Sequence, residues 1–167
     1  TPLLNYAPTS WFVEVTAVKN QLIKQNKEGV NWVPKHMRDG RFGMWLEGAR
    51  DWSISRQRFW GTPLPVWRAA GGDVMVLGSK RELEALSGET ISDLHKHIVD
   101  KVVITKDGKE YHRIPDVLDC WFESGAMPYA QDATREKTKL PADFIAEGQD
   151  QTRGWFYTLH VLAVALF

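Results

Sequence analysis

Residues 144–155 read FIAEGQDQTRGW, and the predicted fold depends on this stretch. An apolar triplet is followed by a polar, glycine-containing segment and then by an apolar run that continues to Phe167. This order predicts a short strand, a turn and the start of a buried helix. In open α/β sheets ligands bind where strands end and helices begin, because unpaired backbone N–H groups and the helix dipole point there. The sequence therefore predicts a ligand site at this junction.

The junction carries polar groups that suit a small ligand. Glu147, Gly148, Asp150 and Gln151 fall within five residues. Gln151 and Trp155 are four positions apart, so on a helix they share one face. This arrangement suits a polar ligand with an apolar side group. The alternative is that Asp150 or Thr152 only caps the helix and that Trp155 is a core residue, and the spacing alone gives the two about equal weight.

The composition is that of a globular protein with one ordinary core. Of the 167 residues, 43% are hydrophobic and 25% are charged, a balance typical of globular domains. The formal net charge is zero, so no global field attracts nucleic acid or membranes. The sole cysteine, Cys120, excludes an internal disulfide and indicates a reducing compartment. Since no apolar run reaches the roughly 18 residues of a membrane span, we expect a cytoplasmic protein without membrane contact.

Residues 35–68 combine positive charge with tryptophan. They contain seven Lys or Arg against three Asp or Glu, and four of the eight tryptophans of the chain. If residues 52–60 are extended, Arg56 and Arg58 lie on one face between aromatic side chains. Such a face could contact phosphates and stack on bases. The alternative, which the pattern favours, is a strand whose arginines pair with carboxylates while the tryptophans pack.

Residues 66–115 have shorter elements, typical of a small α+β insertion. Gly71-Gly72 predicts a hairpin turn. Ser79 and Glu82 form a capping-box pattern that predicts the start of a short helix. Asp107-Gly108 lies between two runs rich in β-branched residues and predicts a second hairpin.

Periodicity assigns most of the remaining chain. Residues 11–15 alternate as in a half-buried strand, residues 17–27 have helical spacing that Gly29 ends, and residues 132–139 are predicted to be a polar surface loop. The predicted apolar face of a further helix consists of Phe42, Trp45, Leu46 and Ala49. The candidate metal ligands are His95, His97, His112 and Cys120. Their spacing matches no metal-binding template, so no metal site is expected.

Asp116 to Gly125 predict a return to the main sheet, with a strand followed by a glycine turn. Trp121 then lies near the end of that strand. If this strand neighbours the one predicted before Glu147, Trp121 and Trp155 form two walls of one apolar pocket beside Gln151.

Four stretches of the chain match known sequence blocks. Residues 121–131 (WFESGAMPYAQ) and 147–155 (EGQDQTRGW) resemble catalytic-domain blocks of the isoleucyl-tRNA synthetase family. Residues 49–63 (ARDWSISRQRFWGTP) resemble the block shared by the isoleucine, leucine and valine enzymes. Residues 10–13 (SWFV) resemble the ribbon that returns from the editing insertion. The resemblance covers essentially the whole chain in order and is therefore specific.

The resemblance implies an α/β fold that is part of a class I Rossmann-type catalytic domain with a small α+β insertion. Residues 1–35 would be the return segment from an upstream editing insertion, and residues 36–65 a catalytic-domain segment. Residues 66–115 would be the small insertion. Residues 116–167 would be the second-half Rossmann segment with the adenylate site.

The resemblance also implies an activity. Such an enzyme joins isoleucine to ATP, supplied with Mg²⁺, as a bound adenylate and then transfers the aminoacyl group to tRNA(Ile). The implied site residues are Glu147, Gly148 and Asp150 for the adenylate, and Trp121, Gln151 and Trp155 for isoleucine. The possible tRNA contacts are Arg50, Arg56 and Arg58. These roles agree with the chemistry of the junction, because carboxylates accept hydrogen bonds from ribose hydroxyls and aromatic walls suit a branched aliphatic group.

The chain contains neither ATP-binding signature of the family, His-Ile-Gly-His or Lys-Met-Ser-Lys-Ser. It opens without methionine and stops inside a predicted helix, so we expect a fragment that works with the rest of the same polypeptide. Adenylate formation depends on in-line positioning and on cations that stabilise phosphate charge. The fragment alone is therefore expected to be inactive, to supply no catalytic residue and to bind no cofactor.

Three alternatives stay open at this point. A leucine or valine paralogue would share the block at 49–63. A non-catalytic RNA-binding module would use Arg50, Arg56, Arg58 and the interleaved tryptophans, and its tRNA affinity would depend steeply on salt. An inert scaffold would bind nothing. Affinity for an isoleucyl-adenylate analogue would separate these hypotheses.

Overall fold

The computed structural model describes residues 9–131 and 142–166. They belong to two units. The first is formed by Thr1–Ile54 and Cys120–Phe167, and the second by Ser55–Asp119. The predicted junction lies in the first unit and both predicted hairpins lie in the second. The polar loop predicted at 132–139 lies outside the described residues.

Helix α1 (Val15–Glu28) supplies one side of the core of the first unit. Val15 and Leu22 are seven positions apart, so they face the same side of the helix, and both are fully buried. The helix ends at Gly29, which confirms the predicted helix and its end. The core also contains Phe42, Leu46, Ala49 and Val161. Burying an aliphatic side chain of this kind stabilises the fold by about 1.5–3 kcal/mol.

Residues 38–47 form a kinked helical segment. Its first part, Arg38–Phe42, is a π-helical turn, and its second part is α2 (Gly43–Glu47). The kink lies at Gly40, whose ψ of −109° is not helical. Of the predicted apolar face, Phe42, Leu46 and Ala49 are buried, while Trp45 is 36% exposed. The segment therefore packs on the core with one face and keeps Trp45 at its edge.

The basic, tryptophan-rich segment changes its strand partner within three residues. β2 (Trp52–Ser53) pairs antiparallel with β1 (Phe12–Val13), so the strand predicted at 11–15 is present but shorter. β3 (Ser55–Arg56) pairs antiparallel with β8 (Val117–Leu118). Regular strand structure then stops until residue 66. A single extended face carrying both predicted arginines is therefore not formed.

The junction stretch contains the predicted helix but not the predicted strand. α6 (Trp155–Leu166) follows a 3₁₀ turn (Gln149–Arg153). Residues 144–146 are not in a strand, and Phe144 is 83% exposed. A buried strand needs neighbouring strands to pair with its backbone N–H and C=O groups. Because no strand within the described residues pairs with this segment, the strand prediction is wrong.

Helix α5 (Cys120–Ala130) replaces the glycine turn predicted after β8. Trp121 therefore lies in the first turn of a helix, not near the end of a strand, and Gly125 lies in the middle of that helix. A Cβ atom at Gly125 would lie 3.0 Å from Oγ1 of Thr158 on α6. The prediction is wrong because this glycine permits close packing of α5 on α6, a role that a local pattern cannot distinguish from a turn.

The second unit is built on an antiparallel sheet with the strand order β5-β4-β7-β6. These strands are β4 (Val66–Ala69), β5 (Val74–Val76), β6 (Val103–Lys106) and β7 (Lys109–Arg113). The helices are α3 (Lys80–Ser87), which contacts β6, and α4 (Lys96–Val99). Trp67 of β4 is buried in this core, and its Nε1 donates a hydrogen bond to the carbonyl of Val102 at 3.0 Å. The polar atom of the buried indole is thereby satisfied.

The turns and the helix cap predicted from the sequence for the second unit are present in the structure. Asp107 and Gly108 have φ of 52° and 72° and connect β6 to β7, which confirms the predicted hairpin. Gly71-Gly72 connects β4 to β5, also as predicted. Ser79 caps α3, since its Oγ accepts a hydrogen bond from the backbone N–H of Glu82 at 3.2 Å. The capping prediction is confirmed.

The mixture of helices and small sheets agrees with an α/β composition. Every strand pair among residues 9–131 and 142–166 is antiparallel, so the Rossmann arrangement stays a prediction, as does the division into parent-domain segments. In the same two ranges no helix combines the length and apolar character required to cross a bilayer. Nor do those residues contain a group of three or more His, Cys, Asp or Glu that could hold a metal ion.

Candidate functional site

The 3₁₀ turn before α6 carries Asp150 and Gln151, with Glu147 and Gly148 just before it and Trp155 at the start of α6. Gly148 precedes it in an extended conformation, with φ −61° and ψ 154°. The N–H of Gln151 donates to the carbonyl of Gly148 at 3.0 Å, and the N–H of Gly154 donates to the carbonyl of Gln151 at 3.1 Å. These two bonds give the backbone from 148 to 154 its shape.

Gln151 is held at both ends of its amide. Its Oε1 accepts a hydrogen bond from the backbone N–H of Trp155 at 2.9 Å, and its Nε2 donates to Oδ2 of Asp150 at 2.8 Å. The amide oxygen thus satisfies one of the N–H groups that a helix start leaves unpaired. The side chain that accepts a hydrogen bond at the start of α6 is thus Gln151, not Asp150 or Thr152 as the alternative had it. The same contacts fix which atom of its amide is the acceptor.

Trp121 and Trp155 approach Gln151 from two helices. A Cβ atom at Gly154 would lie 2.7 Å from Oε1 of Gln151 and 3.3 Å from Cη2 of Trp121. The Nε1 of Trp155 donates to the carbonyl of Ser124 on α5 at 3.0 Å. The structure therefore brings the Trp121 ring and the Gln151 amide together around Gly154, and Trp155 is bonded to Ser124 of α5. Trp155 lies on a helix as predicted, whereas Trp121 lies on α5 instead of a strand.

The predicted adenylate residues lie on the exposed side of the turn. Glu147, Gly148 and Asp150 are all exposed. A Cβ atom at Gly148 would lie 2.5 Å from Oδ1 of Asp150, so a side chain at this position would displace the carboxylate. The glycine therefore allows the Asp150 carboxylate to fold back over the backbone. Two carboxylates and a bare backbone consequently lie beside the tryptophans and Gln151.

Two contacts join the turn to residues 38–47, and the sequence indicated neither of them. Thr152 is fully buried, and its Oγ1 accepts a hydrogen bond from Nε of Arg41 at 3.0 Å. The guanidinium carbon of Arg153 lies 5.1 Å from the ring centroid of Trp45. Arg41 and Thr152 are 111 positions apart, so no local pattern could have linked them.

Two titratable side chains on α6 lie on its inner side. Burial lowers the pKa of His160, whose Nε2 donates to the carbonyl of Leu22 at 2.8 Å. Burial, with a smaller contribution from the Asp51 carboxylate, raises the pKa of Tyr157. Both effects favour the neutral form at neutral pH. The charges near the turn therefore belong to exposed side chains.

The predicted tRNA contacts differ in their surroundings. Arg50 lies exposed in the first unit, and Arg58 lies exposed in the second. Arg56 pairs with the buried carboxylate of Asp119, with 3.2 Å between Nη2 and Oδ2. Arg56 thus follows the alternative in which arginines pair with carboxylates. A tRNA contact by any of the three stays a prediction.

Comparison with known proteins identifies the family of the chain. Residues 4–167 match the sequence model of the family described as tRNA synthetases class I (I, L, M and V). The chain belongs to this family. The resemblance to isoleucyl-tRNA synthetase is also confirmed, because an isoleucine–tRNA ligase from Chlamydia muridarum is 58% identical over 173 residues that cover all of this chain.

Other relatives of this class I synthetase chain agree. The isoleucine–tRNA ligases of Chlamydia abortus and Chlamydia pneumoniae are 57% and 56% identical over 173 residues, again covering the whole chain. The chain spans 16% of the length of each of these two relatives and 17% of the Chlamydia muridarum protein. These names favour the isoleucine enzyme over the leucine or valine paralogue and over a non-catalytic RNA-binding module.

Proposed function

We propose that this chain belongs to an isoleucine–tRNA ligase and forms the wall of its active site that binds isoleucine and the isoleucyl-adenylate. The complete enzyme would join isoleucine to ATP, supplied with Mg²⁺, and then transfer the aminoacyl group to tRNA(Ile). One observation carries the proposal: the Trp121 ring and the Gln151 amide both lie against Gly154, and Trp155 is bonded to Gln151 through its backbone N–H and to Ser124 of α5 through Nε1. The relatives named above support the choice of amino acid.

The amide of Gln151 suits the ammonium group of an amino acid. A carbonyl oxygen has two lone pairs, and the backbone N–H of Trp155 uses one of those on Oε1. The second can accept a hydrogen bond from the substrate ammonium. Because Nε2 is held by Asp150, the amide cannot flip without losing two hydrogen bonds. The neighbouring Asp150 carboxylate adds negative charge that favours a cation.

The tryptophans suit the side chain of isoleucine. The Trp121 side chain is 43% exposed, and Trp155 is half-buried with its Nε1 already paired. Both side chains therefore offer apolar ring surface. The indole N–H of Trp155 already has an acceptor and needs none from the ligand. An aliphatic side chain placed against two aromatic rings loses contact with water, which stabilises the complex.

The exposed carboxylates suit the nucleoside. Glu147 and Asp150 can accept hydrogen bonds from ribose hydroxyl groups, and Gly148 leaves the backbone open to close approach. In the first step an isoleucine carboxylate oxygen attacks the α-phosphorus of ATP and pyrophosphate leaves. Cations that stabilise this charge are not assigned to any residue of this chain. We therefore expect the chain alone to bind ligand without turnover.

Several further features belong to the same proposal. The segments 1–35, 36–65, 66–115 and 116–167 are taken as parts of a Rossmann-type catalytic domain and its insertions. Arg50, Arg56 and Arg58 are candidate tRNA contacts. The cytoplasm is the proposed location, and the remainder of the same polypeptide is the proposed partner.

Titration of a non-hydrolysable isoleucyl-adenylate analogue by calorimetry tests the proposal. We expect Trp121→Ala to weaken binding about 30-fold, since truncating an aromatic anchor in a binding site costs about 2 kcal/mol. The matched control is Trp60→Ala, which removes a tryptophan that is 80% exposed in the second unit. That control should bind like the wild type. No binding by the wild-type intact protein, or equal affinity of both variants, would contradict the proposal.

A further inference from the structure

The kinked segment at residues 38–47 holds the ligand-binding turn at two adjacent points. Nε of Arg41 donates to Oγ1 of Thr152 at 3.0 Å, and Arg153 lies over the ring of Trp45 with 5.1 Å to its centroid. Arg41 and Trp45 are four positions apart in the segment, while Thr152 and Arg153 are neighbours in the turn. Two contacts restrict the orientation of the turn relative to the segment, whereas a single contact would let the turn rotate about it.

The hydroxyl of Thr152 gives the first contact a fixed direction. A hydroxyl has one proton to donate, and Thr152 donates it to the carbonyl of Gln149 at 2.8 Å. The Oγ1 lone pairs therefore face Nε of Arg41. Thr152 is fully buried, whereas Arg41 is exposed, so this bond joins a buried hydroxyl to a guanidinium at the surface. Arg41, Thr152 and the carbonyl of Gln149 thus form one chain of hydrogen bonds that runs into the turn.

The exposed side of the turn has few constraints of its own. Asp150 and Gln151 are hydrogen-bonded to each other, so their bond does not tie them to the core. A 3₁₀ turn of this length has weak hydrogen-bond geometry and is rarely stable by itself. Besides the bonds of Gln151 to Asp150 and Trp155, the position of its amide then depends on the contacts of Thr152 and Arg153 with residues 38–47.

We infer that Arg41 is a positioning residue for isoleucine binding, acting through Thr152, with Trp45 and Arg153 as the second point of attachment. The inference rests on the proposed function, because it assumes that the turn binds the isoleucyl-adenylate. The inference assigns a role to Arg41, for which the sequence predicted none. Arg41 lies 106 positions before Glu147 and further from the residues that follow Glu147. Displacing the turn would misalign the amide oxygen that accepts the substrate ammonium.

The test uses the intact ligase that contains this chain. Arg41→Ala and Thr152→Val each break the hydrogen-bond chain, and each should weaken the isoleucyl-adenylate analogue about tenfold, the effect expected for a lost bond to a charged group. Thr152→Ser keeps the hydroxyl and should stay within about twofold of the wild type. The double variant Arg41→Ala/Thr152→Val should be little weaker than Thr152→Val alone, because both changes remove one interaction.

The matched control is Arg38→Ala in the same segment. The Arg38 guanidinium pairs with the exposed Asp39 carboxylate, 2.8 Å from Nη2 to Oδ2. Its removal should leave analogue affinity unchanged. A weakening equal to that of Arg41→Ala would show that any lost charge on the segment matters, and would overturn the inference.

Kinetics distinguish positioning from simple loss of fold. Loss of folded enzyme lowers kcat in pyrophosphate exchange and leaves the KM for isoleucine unchanged. A displaced turn raises the KM for isoleucine, by about tenfold in Arg41→Ala and Thr152→Val on the same hydrogen-bond estimate. Thr152→Ser should restore the wild-type KM. A fall in kcat with unchanged KM would overturn the inference.

Hydrogen exchange of the peptide covering residues 148–154 gives a readout that needs no ligand. The N–H groups of Gln151 and Gly154, which bond within the turn, should exchange at least about tenfold faster in Arg41→Ala than in Arg38→Ala. If the wild-type enzyme does not bind the analogue, the proposed function fails, and the exchange result still decides whether Arg41 holds the turn. Unchanged exchange, or faster exchange with unchanged affinity, would overturn the positioning role.

Discussion

The hairpins of the second unit and the turn before α6 in the first are stabilised by contacts of very different range. β6 and β7 are paired from Val103 and His112 to Lys106 and Lys109, and the two residues that connect them, Asp107 and Gly108, have positive φ. Thr152, by contrast, is held by a residue 111 positions away, and His160 on the following helix is bonded to a carbonyl 138 positions away. A hairpin can therefore form from its own sequence, whereas the turn acquires its shape only when the first unit has packed. The proposed binding residues therefore lie at an element whose contacts reach far along the chain.

Changes at the α5–α6 contact should give the largest effect. Gly125→Leu places a side chain where even a Cβ lies 3.0 Å from the backbone carbon and Oγ1 of Thr158, so we expect a loss of about 3 kcal/mol in the free energy of unfolding. Urea denaturation followed by circular dichroism measures it. Gly71→Ala is the matched control, since nothing lies within 4 Å of its Cβ, and it should be nearly neutral. Equal stability of the two variants would show that the helices do not depend on this approach.

A smaller effect is expected from the local contact in the second unit. Gly108→Val forces a β-branched residue to adopt φ of 72°, and the left-handed conformation should cost about 1–2 kcal/mol. Asp107→Asn is the control, because asparagine tolerates positive φ at least as well as aspartate. Hydrogen exchange of β6 and β7 should accelerate in Gly108→Val alone. If exchange in the turn at 148–154 accelerated equally, the contrast between local and long-range stabilisation would be wrong.

The smallest effect concerns pH and the long-range contact of His160. Burial lowers its pKa in the folded state below the ordinary value of 6.5, so the unfolded chain binds the proton more tightly. Stability is therefore full above pH 6.5 and declines as the pH falls below it, by no more than about 1.4 kcal/mol per pH unit. Unfolding measured from pH 7.5 to 5 should show this decline in the wild type and a flatter profile in His160→Gln. The exposed His36→Gln variant is the control and should keep the wild-type profile.

Sequence patterns predicted a structural feature correctly where all the residues that determine it lie in one short segment. Gly29 ends α1, Ser79 caps α3, and Asp107-Gly108 turns the chain between β6 and β7. Each feature involves residues a few positions apart, so backbone conformation and nearby hydrogen bonds decide it. The resemblance likewise depends on runs of adjacent residues, and the family match over residues 4–167 agrees with it.

The patterns failed where distant parts of the chain supply the partner. Residues 144–146 are apolar enough for a strand but have no paired neighbour among the described residues, and Phe144 remains 83% exposed. Gly125 was interpreted as a turn because the sequence does not show Thr158 beside it. Four of the predicted site residues lie in or beside the turn and Trp155 begins α6, while Trp121 lies on α5; their roles as a site stay a prediction.

The sequence by itself determined the family of this protein, its helix ends and hairpin turns, and the residues that gather before α6. Tertiary structure alone decided that a helix rather than a strand carries Trp121, that Gln151 caps α6, and that Arg41 and Trp45 contact Thr152 and Arg153 of the turn. The physical reason is the distance along the chain between the residues that interact. Turns and caps are set by dihedral preferences and hydrogen bonds between near neighbours, whereas close packing and buried hydrogen bonds require partners that only the folded chain brings together.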